Sequence, residues 1–141
     1  VIRNRTAFVR KSRPDWRDLV VSREKSLREV LRFIDDKARQ IALVTDQNDT
    51  LLGTITDGDI RRGLLRGVDM EASCSVVMNS NPVTYETSVP RAEIVRTMKV
   101  EGIRHIPLLG QDGRVVDLMT LSEIMGAYRQ DSPVVIMAGG Q

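Results

Sequence analysis

Apolar positions along this chain follow a helical period and then a strand period, and that order occurs twice. From Ser26, which can cap a helix, Leu27, Val30, Leu31 and Ile34 fall on one helical face with Arg28, Glu29, Arg32 and Asp35 opposite. Two short apolar runs follow, Ile41 to Thr45 and Leu51 to Thr56. The polar turn Asp46-Gln-Asn-Asp-Thr50 joins them, which predicts a β-hairpin. A closing helix is predicted from about Gly58 to Leu65.

The second half repeats this order. A helix is predicted from Ser88, with Pro90 in its first turn and Ile94, Val95 and Met98 along one side. Ile106 to Leu109 and Arg114 to Thr120 form a hairpin around Gln111-Asp-Gly113, and Leu121 to Tyr128 closes the unit. Arg39-Gln-Ile-Ala-Leu-Val44 reads against Arg104-His-Ile-Pro-Leu-Leu109, and the stretch from Leu51 to Ile60 against that from Val115 to Ile124. Thr56 then lies over Thr120, and Asp59 over Glu123. Units of roughly 60 residues are small for an independent core, so the two are expected to share one.

Composition narrows the function. Of 141 residues 41% are hydrophobic, enough for a real interior, and 28% are charged with a formal net charge of only +2. The pI near 9.0 therefore reflects small numbers and not a basic stripe. With 4% aromatics there are few rings to stack bases, which argues against nucleic acid as a partner. The single cysteine, Cys74, forms no internal disulfide, and with one histidine no zinc ligand set arises, so a cytoplasmic protein without a metal is expected. No apolar run approaches the roughly 20 residues of a bilayer span. No nucleophile-base pair or Walker-type sequence is present, so this stretch is not expected to be an enzyme. The methionines, among them Met98 and Met119, are expected to fill the core or a partner surface.

The chemistry gathers at Gly53-Thr-Ile-Thr56-Asp-Gly-Asp59, where the second strand turns into a helix. A hydroxyl and a carboxylate three residues apart straddle a helix start, whose free N–H groups and positive dipole end suit an anion. The plainer reading is that Thr56 and Asp59 only cap the helix. In the second unit Asp117 replaces the glycine, and Thr120-Leu-Ser-Glu123 has the spacing of a capping box.

The duplicated helix, hairpin, helix order with this Gly-x-x-Thr-x-x-Asp stretch resembles the cystathionine-beta-synthase (CBS) domain over about residues 16 to 128. The resemblance implies an α/β fold of two CBS repeats packed sheet to sheet with pseudo-twofold symmetry. It also implies a homodimer and an adenine nucleotide (AMP, ADP or ATP) in the crevice between repeats. Carried over residue by residue, Asp59 takes the ribose hydroxyls, Thr56 reaches ribose or phosphate, and the main chain near Ile41 and Ala42 reads adenine. Asp57 belongs to the same motif. Arg104 and His105, just before the second unit's first strand, and Arg62, beside Arg61 after Asp59, are the candidate phosphate cations, with Thr120 the matching residue of the second unit. Because Glu123 is longer than Asp and Asp117 would repel a phosphate, one competent site is expected.

The ends divide the chain further. Residues 1–15 read as a polar tail, poorly ordered before about Arg13, with Trp16 an anchor on the core or a partner. The repeats occupy 16–75 and 76–131. In 132–141, Ser132-Pro-Val-Val-Ile-Met-Ala-Gly-Gly-Gln141 resembles the opening of a sugar-phosphate nucleotidyltransferase, which implies a C-terminal transferase domain that the CBS pair would regulate.

Overall fold

The structure is a computed structural model that describes residues 15–36 and 40–125, so the expectations for the tail and for 132–141 lie outside the described residues. The first repeat consists of β1 (Val20–Ser22), α1 (Leu27–Asp36), β2 (Ile41–Thr45), β3 (Leu51–Thr56) and α2 (Asp57–Leu65). The second has β4 (Tyr85–Glu86), α3 (Arg91–Glu101), β5 (His105–Leu109) and β6 (Val115–Thr120), then a helix, α4, described over 121–125.

Each repeat forms a three-stranded sheet, β1-β2-β3 and β4-β5-β6, in which a short strand pairs parallel to a hairpin. The hairpin ladders match residue for residue. Ile41 faces Thr56 as His105 faces Thr120, and both ladders slip one residue before Thr45 and Leu109. The internal repeat is therefore a uniform 64 residues, which pairs Ile41 with His105. This corrects the sequence alignment of the first strands, which sets Ile41 against Ile106. In a strand one residue exchanges the two faces, so the correction turns His105 toward the face that Ile41 occupies.

Two faces of each sheet do different work. Toward the helices, Ala42, Val44 and Ile55 pack with Leu27, Val30, Ile34 and Ile60, and in the second repeat Ile106 and Met119 pack with Ile94, Met98 and Ile124. On the opposite faces Ile41 and Leu43 meet Val115 and Leu118, with Trp16 and Leu19 completing a core shared by both repeats. Trp16 is thus an anchor on the core. The hairpin tips are joined as well. Thr50 and Arg114 are antiparallel bridge partners, Leu51 N–H donates to the Gly113 carbonyl at 3.2 Å, and Val115 N–H donates to the Asp49 carbonyl at 2.9 Å. These bonds exchange under the 64-residue repeat, so a pseudo-twofold axis passes between Thr50 and Arg114.

Helix starts follow local chemistry. Ser26 and Glu29 form a reciprocal capping box on α1: Glu29 N–H donates to the Ser26 hydroxyl at 3.1 Å and Ser26 N–H to the Glu29 carboxylate at 2.9 Å. The loop after α2 accepts further α1 donors, Leu27 N–H on the Ala72 carbonyl and Arg28 N–H on that of Met70. In the second repeat α3 starts at Arg91, not Ser88, because the Ser88 hydroxyl bonds the Glu86 carboxylate and Pro90 takes the cap position without a side-chain bond.

Candidate functional site

β3 delivers Thr56 in extended conformation to the N-cap of α2, and the reciprocal bonds that follow fix Asp59. The Asp59 N–H donates to the Thr56 hydroxyl at 3.4 Å. Oδ2 of Asp59 in turn accepts the Thr56 N–H at 3.0 Å and the Thr56 hydroxyl at 3.1 Å. Oδ1 accepts Nη2 of Arg62 at 2.8 Å. The carboxylate is thus held in place, with 15% of the Asp59 side chain exposed against 65% for Arg62.

Ile41 and Ala42 adjoin this corner, as ladder partners of Thr56 and Ile55. Both side chains are buried, so only their main chain can face a ligand. β1 begins opposite Leu43, which leaves the β1-side edge of β2 at Ile41 and Ala42 without a strand partner among the described residues. Asp57 is exposed in the first turn of α2. Asp57 and Asp59 together offset the positive end of that helix, so a phosphate there depends on nearby cations.

The second corner is built alike. The Glu123 N–H donates to the Thr120 hydroxyl at 3.2 Å, and that hydroxyl donates to the Glu123 carboxylate at 3.1 Å. In both corners the cap hydroxyl thus accepts the N–H of the acid three residues on and donates to its carboxylate, and the corners differ in the length of that acid. His105, ladder partner of Thr120, is half-buried on the face toward the other repeat, and burial, reinforced by the neighbouring Arg104 charge, holds its pKa below the ordinary histidine value. Arg104 has an exposed side chain and contributes its carbonyl to the Leu121 N–H at 2.9 Å. The candidates thus fall into two groups, one at each corner: Ile41, Ala42, Thr56, Asp57, Asp59 and Arg62, and Arg104, His105 and Thr120.

Asp117 lies within β6 opposite Leu108, three residues short of the corner, and its Oδ1 accepts the Leu118 N–H at 2.8 Å. That bond turns one carboxylate oxygen onto its own strand and gives Asp117 a structural role that the sequence does not announce. A separate groove, lined by Val20 to Glu24 and Thr45 to Asp49, lies at the other end of β2 from Thr56. Among the described residues no group of three or more His, Cys, Asp or Glu could hold a metal ion, and no helix is long and apolar enough to cross a membrane.

Two successive matches to one family model, the CBS domain, cover residues 15–66 and 73–130. The chain belongs to the CBS domain family. Its CBS pair is similar to the CBS domain protein PAE2072 from Pyrobaculum aerophilum, solved in complex with AMP. That likeness has a TM-score of 0.65 at 20% identity and covers 78% of this chain and 82% of the other. CBSX2 in complex with AMP is similar at a TM-score of 0.69 and 21% identity, covering 80% and 88%. Among curated relatives, arabinose 5-phosphate isomerase KdsD of Pseudomonas aeruginosa is 28% identical over 103 residues, 72% of this chain and 32% of its own length. The CBS chain spans about a third of the length of such relatives.

Proposed function

We propose that this CBS pair is a regulatory sensor that binds an adenine nucleotide, AMP, ADP or ATP, between its repeats. The observation that carries the reading is the Asp59 carboxylate, held at the β3–α2 corner beside main chain at Ile41 and Ala42 that lacks a β1 partner. An ionised carboxylate has only acceptors, so it can take vicinal ribose hydroxyls in charge-assisted bonds. Thr56 reaches ribose or phosphate, and Arg62, Arg104 and His105 answer the phosphate charge, with Asp57 and Thr120 at the helix starts of the two corners. The AMP complexes of two proteins of similar fold support the choice of ligand.

The nucleotide regulates by favouring one arrangement of the repeats over another. The target is a catalytic domain on the same polypeptide, in a cytoplasmic homodimer. The C-terminal Val134 to Gly140 segment favours a sugar-phosphate nucleotidyltransferase, and the match to a sugar-phosphate isomerase supports a sugar-phosphate enzyme more broadly.

A second reading, a dimerisation module without a ligand, draws support from Asp59 itself, because both carboxylate oxygens already have protein donors. Calorimetry with AMP, ADP and ATP separates the two. Saturable binding of one of them supports the sensor, and no heat at millimolar nucleotide leaves the scaffold.

A further inference from the structure

We propose that Arg62 is a reversible latch on Asp59. Its guanidinium holds the carboxylate while the site is empty and transfers to the phosphate when ribose takes its place, so that it selects phosphorylated nucleosides over bare ones. The proposal rests on the reading of Asp59 as the ribose acceptor and adds to it the basis of ligand selection.

The two oxygens of Asp59 are not equivalent. Oδ2 accepts both the main-chain N–H and the hydroxyl of Thr56, the residue that ends β3 and caps α2. Giving up those bonds would open the start of the helix. Among the described residues Oδ1 accepts from Nη2 of Arg62 alone, at 2.8 Å. Arg62 comes from the solvent side on a flexible stem, with 65% of its side chain exposed. A ribose diol therefore competes with Arg62 and not with Thr56.

Space and charge favour the exchange. A methyl group at Gly58 would lie 3.2 Å from Nη1 of Arg62, so the bare backbone at 58 gives the guanidinium room to lie across the start of α2. The arginine end of this ion pair is open to solvent, which screens the pair and makes release of the guanidinium inexpensive. Once released, the guanidinium is a mobile fork of donors suited to a phosphate, at a helix end where Asp57 and Asp59 would otherwise repel one. Adenosine bears the cost of displacing Arg62 and recovers nothing, whereas AMP recovers it through the phosphate.

The test is calorimetry of adenosine and AMP against the wild-type chain, Arg62→Ala and Arg62→Lys, with thermal melts to verify folding. Removing the latch tightens adenosine by about two- to five-fold, the value of an exposed pair. The same Arg62→Ala change weakens AMP by about five- to twenty-fold, the loss of a charge-assisted bond less that relief. Arg62→Lys restores most of the preference for AMP. If the wild type binds AMP but Arg62→Ala shifts both ligands equally, or neither, the latch is wrong and the Asp59 reading stands. If the wild type binds neither ligand at millimolar concentration, the latch is wrong, and the Asp59 reading fails with it when ADP and ATP also give no heat.

Discussion

Thr50 and Arg114 face each other across the pseudo-twofold axis as antiparallel partners at the tips of the two hairpins. Around them Leu51 N–H reaches the Gly113 carbonyl and Val115 N–H the Asp49 carbonyl, so the join depends on main chain and not on side-chain identity. Val115→Pro deletes one of these donors and disturbs a residue that is 5% exposed in the shared core. A loss of about 2–4 kcal/mol is expected in urea unfolding, against under about 0.5 kcal/mol for the exposed Arg114→Ala. Equal effects would mean that the tips do not couple the repeats.

Gly53 and Asp117 hold the same ladder position in the two repeats, opposite Val44 and Leu108, yet cannot be exchanged. Beside Gly53 the inter-repeat chain pairs with β3, Thr54 N–H donating to the Asn79 carbonyl at 3.0 Å and Asn79 N–H returning the bond at 2.8 Å. A methyl group at Gly53 would come within 2.6 Å of that carbonyl and 2.4 Å of the Met78 side chain. In the second repeat the corresponding donor, Leu118 N–H, is met by the Asp117 side chain. Gly53→Ala is therefore expected to cost about 1–3 kcal/mol in thermal or urea unfolding.

Periodicity made the hairpin Ile41–Thr45 and Leu51–Thr56 legible to the residue, because apolar runs were long enough and the turn polar enough to bound them. The inner face Leu27, Val30 and Ile34 was legible for the same reason. β1 and β4 were not, since strands of three and two residues are shorter than any pattern and form only against a hairpin already in place. The one-residue misalignment arose from matching Ile-Ala-Leu-Val to Ile-Pro-Leu-Leu by hydrophobicity. The position equivalent to Ile41 is His105, at the end of the ladder away from the hairpin tip, where the side chain is half-buried and not fully enclosed as Ile41 is. At the corner the Thr56–Asp59 spacing was readable, but not that Asp59 shares its carboxylate between the cap and Arg62, which depends on rotamers.

Asp59 carries two roles that separate in measurement. As a reciprocal cap it stabilises α2, and Thr56→Ala or Asp59→Ala is expected to cost about 1 kcal/mol in unfolding. As the ribose acceptor, its loss in Asp59→Ala weakens nucleotide binding by about 1.5–3 kcal/mol. Glu123→Ala costs similar stability but leaves nucleotide affinity and a stoichiometry of about one per chain unchanged. A comparable affinity loss from Glu123→Ala would instead give both corners a ligand.

His105 supplies a pH dependence whose sign follows from its surroundings. Half-burial, with Arg104 adding like charge, disfavours the imidazolium, so the folded chain holds His105 neutral at pH values where the unfolded chain binds a proton. This contribution to stability is complete above about pH 6.5, the ordinary imidazole value, and falls as pH drops toward the lowered folded value. Melting temperatures measured from pH 7.5 to 5.5 should fall less for His105→Gln than for the wild type, and identical slopes would exclude His105 as the source. A bound phosphate reverses the electrostatics: an anion near the ring favours the imidazolium, so nucleotide binding near neutral pH takes up a proton. Calorimetry in two buffers of different ionisation enthalpy should then give different heats for the wild type, and the difference should shrink in His105→Gln.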